Sequence, residues 1–558
     1  MKARIACGMS RGYGLPILVS TVLAVAMTWP LILHLGSEAQ LVDAWGDPLY
    51  LTWQVAWLGH ALLHDPLHIF RTNFYFPIKS NLVFTDVLFG YAPAGLLATS
   101  GPHAALVVHN LIVIFTFALA FVGAFLLARE LGAGAWGSVA AGAAFAYAPW
   151  KLAQAGHLQI LSSGGIPLSL YFLVRGYRRG SGRLIVAGWL VAAWQMTLGF
   201  NLGLQLAYLL LLLGAGVAVL WLRHGRPRPS PSVVRASALG VAAFVAVTAL
   251  VAAPYVRVQQ DYPEATMPTA EVAFFSPPPR AFITAPSFDL VWGGVTGHTR
   301  ATLRSSVEQT LFPGVTVLLL ALLGLVSTSY SPPLRIGLAA GTIVCIALSF
   351  GLPSATHPDR GLTPFRLLRD VAPGWNGVRT PGRINNLTSL GLALLAAAGM
   401  ALVVHHLRRF RTRGVAQLVP AALVAAILVE GFGLPHPRVP ARPPDELAAP
   451  APQLHLPTIV GLDGIYAYWG IGSFPRMANA ASSFDPRLVA DIRKSSQTFP
   501  NADSVRFFRW IGIRSVVFHR DLARGTPWQG VPRRPIAGLG ITRHDDGDLV
   551  VYDLTNGE

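Results

Sequence analysis

The sequence predicts an all-α polytopic membrane protein with about eleven transmembrane helices and a small α/β domain at its C-terminal end. Three observations predict it. Only 12% of the residues are charged and 53% are hydrophobic, where a soluble domain carries about 25% charged residues. Mean hydropathy is +0.49, and several runs reach the roughly 20 apolar residues that a hydrocarbon core requires. Those runs are rich in Leu, Ala, Val and Gly without period-2 alternation, which suits helices and not a β-barrel.

Taken in order, spans are expected near 14–35, 104–128, 134–150, 158–175, 184–200, 202–222, 236–255, 310–328, 335–352, 387–406 and 415–433. The first has a longer apolar core than a signal peptide's roughly 7–15 residues, and it is read as a retained anchor. Placing the N-terminus inside puts seventeen basic residues in the N-terminal segment and the short inner loops, against the single acid Glu130. The +17 net charge is then topology, as the positive-inside bias requires, and not a nucleic-acid footprint. The C-terminus is then expected outside. Long outer loops fall at 36–103, 256–309 and 353–386, so residues 1–433 form the transmembrane module. Residues 434–558 open on the Pro-rich LPHPRVPARPP and carry strand-like runs, IRSVVFHR and GDLVVYDL; they are the predicted extracytoplasmic α/β domain.

Within the first loop, TWQVAWLGHALLHDPLHIF reads as a helix lying in the interface, with Trp53 and Trp57 as belt anchors. DVLFGYAPAGLLATSG is too short and too broken by Pro and Gly to span. No internal inverted repeat is apparent, which argues against a symmetric carrier. Cys7 and Cys345 define no disulfide framework. No Walker A, GxGxxG or GxSxG motif supports ATP hydrolysis, nicotinamide chemistry or an acyl nucleophile.

The residues that stand out are polar groups near the outer surface. Asp43 and Asp47, in LVDAWGDPLY, lie just past the first span. A carboxylate there suits a general base acting on a substrate whose head sits at the membrane surface; the plainer role for Gly-Asp-Pro is a loop-ordering turn. Asp86 has the same two readings, as acid–base group or as a helix cap. Arg379 and Arg383 in VRTPGR, with Lys79 after NFYFP, suit a lipid phosphate or interfacial anchoring. His157 and Gln159 open the fourth span, and polar groups at that depth are unusual. Glu308 opens the eighth and either meets an acceptor or sits favourably at a helix N-terminus. His60, His64 and His68 recur every four residues and could line one face for zinc or face water.

These features together resemble the GT-C superfamily of membrane glycosyltransferases, and more closely a poorly characterised bacterial branch of it. The resemblance rests on the first-loop acids in GDPLYLTWQVAWLGHALLHDPLHIFRTNFYFP, then on GHLQILSSGGIPLSL, EQTLFPGVTVL, GVRTPGRINN, MANAASSFDP and FPNADSVRFFRWIGIRSVVFHR. Each motif is weak alone; their order runs from about residue 40 to 520. The resemblance implies a hexosyl- or pentosyltransferase that takes a polyprenyl-phosphate sugar donor and delivers it to a glycan, lipid or protein acceptor outside the membrane. It implies Asp47 as base and Asp43 as its helper, with Lys79, Arg379, Arg383, His157, Gln159 and Glu308 around substrate. It leaves a divalent metal (Mg or Mn) open. Where several superfamily members carry a second acid, this chain reads WKLAQAGHLQ, with His157 and Gln159 in place of a carboxylate. Two other classes compete: a non-catalytic carrier or flippase for lipid-linked sugars, and an accessory subunit of envelope assembly.

Overall fold

A computed structural model describes residues 2–39, 46–223, 229–263, 265–353, 361–408, 413–433, 439, 449–481, 484 and 486–555. In chain order the longer helices are α1 (Lys2–Met27), α2 (Gly46–His64), α3 (Pro102–Leu131), α4 (Gly134–Ala146), α5 (Gly165–Arg179), α6 (Gly182–Met196), α7 (Phe200–Arg223), α8 (Pro231–Asp261), α9 (Val315–Val326), α10 (Pro332–Ser349), α11 (Asn385–Leu407) and α12 (Arg413–Glu430). After them come β1 (Gln453–Leu456), α13 (Val460–Trp469), α14 (Arg487–Thr498), α15 (Ala502–Ile511), β2 (Ser515–His519), β3 (Thr542–Asp546) and β4 (Leu549–Asp553).

Each of the expected spans falls on a helix, but not each helix is long enough to cross. Among the described residues five segments are long and apolar enough to span: α3, α7, α8, α10 and Pro381–Leu407, with shorter apolar stretches at Gly14–Met27, Val315–Val326 and Gln417–Glu430. Local sequence shortens the others. Helix α5 starts only at Gly165, because the Ser162–Gly165 stretch breaks the run, and it ends at Gly180 in a left-handed cap (φ +62°). At 15 residues it spans about 22 Å, short of a 30 Å core.

The chain divides into two compact units. One comprises 1–33, 112–252 and 266–435, the other 34–111, 253–265 and 436–558. In the first, α9, α11 and α4 pack closely, and α10 lies against α11. Glycine permits the α9–α11 approach: a Cβ on Gly324 would overlap the Leu395 carbonyl, and one on Gly399 the Leu320 carbonyl. Small residues that bring backbones together are how helices associate in lipid, where burial of apolar surface offers little.

In the second unit a four-stranded sheet has the order β1-β2-β4-β3. Strands β1 and β2 are parallel, with Gln453 opposite Ser515, and β2–β4 and β4–β3 are antiparallel. The strand-like runs of the sequence are β2 and β4, both largely buried, while β3 is exposed along its whole length. Its sequence, TRHDD, is charged, as suits an edge that must not recruit another strand. Leu454, Phe499, Phe508, Val516, Phe518 and Tyr552 centre the core between sheet and helices. The first loop is woven into this domain. The Tyr75 amide donates to the Asn479 carbonyl (3.0 Å), Phe76 to Met477 (2.8 Å) and Met477 back to Asn73 (2.7 Å).

Candidate functional site

In the second unit the candidate residues gather around α2. Asp47 stands in its first turn and is exposed, where the helix N-terminus favours a negative charge. Asp43 lies outside the described residues. Behind Asp47 the helix is buried from Pro48 to Gly59. Trp53 stacks near Tyr50 (5.1 Å) and Phe74 (5.4 Å); its indole N–H donates to Asn73 Oδ1 (3.1 Å), and that of Trp57 to the Ile69 carbonyl (3.0 Å). The expected belt anchors are therefore core residues of their unit, 0% and 8% exposed. A buried indole needs such a partner, and the loop supplies both. Burial pushes the Tyr50 hydroxyl well above its ordinary pKa, and the charge of Asp47 adds to the rise.

Segment 85–88 is fixed onto α2 by one side chain. Gln54 donates to the Asp86 carbonyl (3.1 Å) and to Thr85 Oγ1 (3.3 Å), and its oxygen accepts from the Leu88 amide (3.1 Å). Tyr255 clasps the same stretch, donating to the Thr85 carbonyl (3.0 Å) and accepting from the Val87 amide (3.1 Å). Asp86 itself is half-buried and Lys79 is exposed. Lys79 follows Tyr75 (φ +63°) and precedes Ser80 (φ +58°), two non-glycine residues in the left-handed region, so a tight, strained turn presents it. The three histidines do not converge. His60 stacks on His64 (4.3 Å), while His68 pairs with Asp65 (2.8 Å). Among the described residues no group of three His, Cys, Asp or Glu side chains assembles, and the metal left open by the sequence has no such set there.

In the first unit the structure brings Glu308, Arg383 and His157 together, and leaves Arg379 and Gln159 at their margins. Glu308 sits in the short helix Ser306–Gln309, capped by the Ser305 hydroxyl. Its two oxygens accept a forked pair from Arg383, Nη2 at 2.5 Å and Nε at 3.2 Å, and His157 Nε2 lies 3.9 Å away. Burial pushes the Glu308 carboxyl up, but Arg383, His157 and Arg379 pull harder, and it ends below the usual carboxylate range. Glu308 is thus an ionised, buried group, and the forked geometry is the arrangement in which Arg binds carboxylate most strongly. Arg383 has the charge expected for holding phosphate but spends two of its donors on Glu308. Arg379 is more accessible: it meets Glu271 at 3.4 Å and lies over the Phe275 ring at 5.0 Å. Gln159 is half-buried beside the close approach of Gly199.

Sequence reasoning did not single out Lys151. It is 2% exposed, donates to Ser163 Oγ at 2.7 Å, and lies over the Phe145 ring at 4.6 Å. Burial brings its amine down to about 7. The signal was present: it is one of four lysines in the chain, in the same WKLAQAGHLQ stretch as His157. The start and middle of that stretch pack on the Glu308 segment, with the Trp150 amide donating to the Phe312 carbonyl (3.1 Å) and Gln154 Nε2 to the Val307 carbonyl (2.9 Å).

No family model matches the sequence, and no curated protein matches it. Solved structures do. Arabinofuranosyltransferase AftD from Mycobacteria is similar at a TM-score of 0.50 and 16% identity, over 98% of this chain and 41% of AftD. The chain therefore spans about two fifths of that protein's length. The oligosaccharyltransferase of Archaeoglobus fulgidus is similar at a TM-score of 0.47 and 13% identity, over 92% of this chain and 70% of that one. ArnT from Cupriavidus metallidurans, in a crystal structure with undecaprenyl phosphate bound, is similar at 0.48 and 13%, over 98% of each chain. The likeness to AftD shows a shared fold.

Proposed function

We propose that this protein is a membrane glycosyltransferase that moves a sugar from a polyprenyl-phosphate carrier to an acceptor on the outer side of a bacterial cytoplasmic membrane. The observation that carries the reading is Asp47, an exposed carboxylate in the first turn of a helix otherwise buried along most of its length. Behind it the helix is buried and carries the aromatic layer of Tyr50 and Trp53. Asp47 acts as general base toward the acceptor hydroxyl, and the departing phosphate requires cations to neutralise its charge. Lys79 in the same unit is presented to solvent for such a contact. In the other unit Arg379 is the more available arginine, while Glu308 fixes the orientation of Arg383, and His157 and Gln159 contribute polar contacts to substrate. Each unit's assignments are tested by substitutions within that unit.

The test is turnover in lipid nanodiscs with a panel of polyprenyl-phosphate monosaccharides and envelope acceptors, reading release of polyprenyl phosphate. Asp47→Asn should lower release by about 10²–10⁴-fold with an unchanged melting temperature. Full release by a folded Asp47→Asn protein would remove the base. Binding of donor by both proteins with release by neither would instead favour a non-catalytic carrier or an accessory subunit.

A further inference from the structure

A cavity of about 260 Å³ lies within the first unit, away from the Glu308 cluster, and the proposed transfer does not use it. Three walls form it. One is the glycine-rich start of α4, from Gly132 to Gly137; another is the turn Ser327–Ser329 between α9 and α10; the third is the end of α11, with Leu402, His405 and Arg408. No Asp or Glu is among its lining residues. The nearby acid Glu130 is held by Arg175 (2.7 Å) and Arg178 (3.8 Å).

The lining is chemically mixed. On the α11 wall Ala401, Leu402 and Val404 are apolar and stand beside the His405 ring and Arg408, and the turn adds Thr328 and Ser329, while the Ser327 hydroxyl is buried and donates to Ser329 Oγ (3.1 Å). The place matters as much as the lining. Leu131 and Leu407 end two of the segments able to span a membrane, which puts the cavity at the depth of lipid headgroups. This is the arginine-rich end of the helices, the one expected to face the anionic leaflet.

We infer that this cavity seats the headgroup of an anionic phospholipid, its phosphate on Arg408 and the hydroxyls of Thr328 and Ser329, and its glycerol against Ala401, Leu402 and Val404. Charge complementarity and depth favour a lipid over a soluble anion, because a soluble phosphate has no use for the apolar part of the lining.

The test is a titration of the full-length protein in uncharged detergent, read by native mass spectrometry and by melting temperature, with phosphatidylglycerol, phosphatidylcholine and inorganic phosphate. Phosphatidylglycerol should bind and raise the melting temperature more than phosphatidylcholine does. Arg408→Gln and Thr328→Glu, both at exposed positions, should weaken that binding by about tenfold or more and leave the lipid-free melting temperature unchanged. Equal binding of the two lipids, or binding indifferent to both substitutions, would overturn the inference. An equal shift with inorganic phosphate, lost in both variants, would retain the anion site and overturn its assignment to lipid.

Discussion

Arg383 and Glu308 show how pairing redefines two residues that look independent in the sequence. Seventy-five positions separate them, and each is a candidate for substrate contact by residue type and position. Together they form a forked ion pair whose side chains are 10% and 5% exposed. Breaking a buried pair from one side leaves the other charge without compensation, at a cost of about 3–5 kcal/mol. Glu308→Gln should therefore lower thermal stability sharply, and Arg383→Met in the same chain should restore much of it. A double variant no more stable than Glu308→Gln would show that the pair is not what holds this region. No residue pattern announces a contact of that range, so the sequence exposed the members and not the bond. The same holds for Asp463, 0% exposed, which accepts from Asn479 (2.8 Å), Thr458 (3.1 Å) and Arg493 (3.4 Å). Its partner Asn479 lies inside MANAASSFDP, a motif visible in the sequence whose purpose only the fold reveals: it ties α13 to β1 through the backbone of His455 (2.8 and 2.9 Å).

Elements were legible where composition alone decides them. Apolar runs fell on helices, five segments of which are long and apolar enough to span, though the first run ends at Met27 and the fourth starts at Gly165; the Val-rich runs located β2 and β4. Strand β1, QLHL, escaped notice because four residues carry too little pattern, and β3 because TRHDD is polar at every position. Lengths were less legible, since the breaks at Ser162–Gly165 and at Gly180 depend on backbone conformation rather than hydropathy. Helix α15 has the clearest local signal of the sheet domain. Asn501 accepts from the Ser504 amide (2.8 Å), and the Ser504 hydroxyl accepts from the Asn501 amide (3.1 Å), a reciprocal cap. Asn501→Ala should cost about 1 kcal/mol and be visible as a lower melting temperature of the full chain. Asn501→Asp should be nearly silent, because aspartate caps as well. Equal losses in the two variants would mean that the cap contributes nothing.

For the molecule as a whole, the sheet domain makes stability depend on pH in two opposing ways. His455 and His519, on neighbouring strands, share a hydrogen bond of 3.0 Å beneath the Tyr466 ring. Gln453 commits its amide nitrogen to the Ala449 carbonyl (2.7 Å), so its oxygen accepts from His455 Nε2 (3.2 Å). His455 is then left to accept at Nδ1 from His519, and both rings are neutral. Burial, and then His455, hold the His519 pKa well below its ordinary 6.5. The unfolded chain takes up a proton there that the folded one refuses, so stability falls as pH drops below about 6.5. Asp463 acts the other way. Burial raises it from 3.8 to about 7 against the pull of Arg493 and Asn479, so the folded form keeps a proton that the unfolded form has lost, and that contribution fades as pH rises toward 7. Asp463→Asn removes the second trend and keeps the first. Its melting temperature should fall more steeply than that of the wild type between pH 6.5 and 5, and parallel curves would refute the assignment. The thread that joins the first loop to this domain also has a cost in time. Asn73 Nδ2 donates to the Pro475 carbonyl (2.9 Å) across 402 residues of chain. At about 5–20 residues per second of synthesis, the loop waits roughly 20–80 s for the segment it must pair with. During that interval α2, with its aromatic face uncovered, is a natural client for a chaperone.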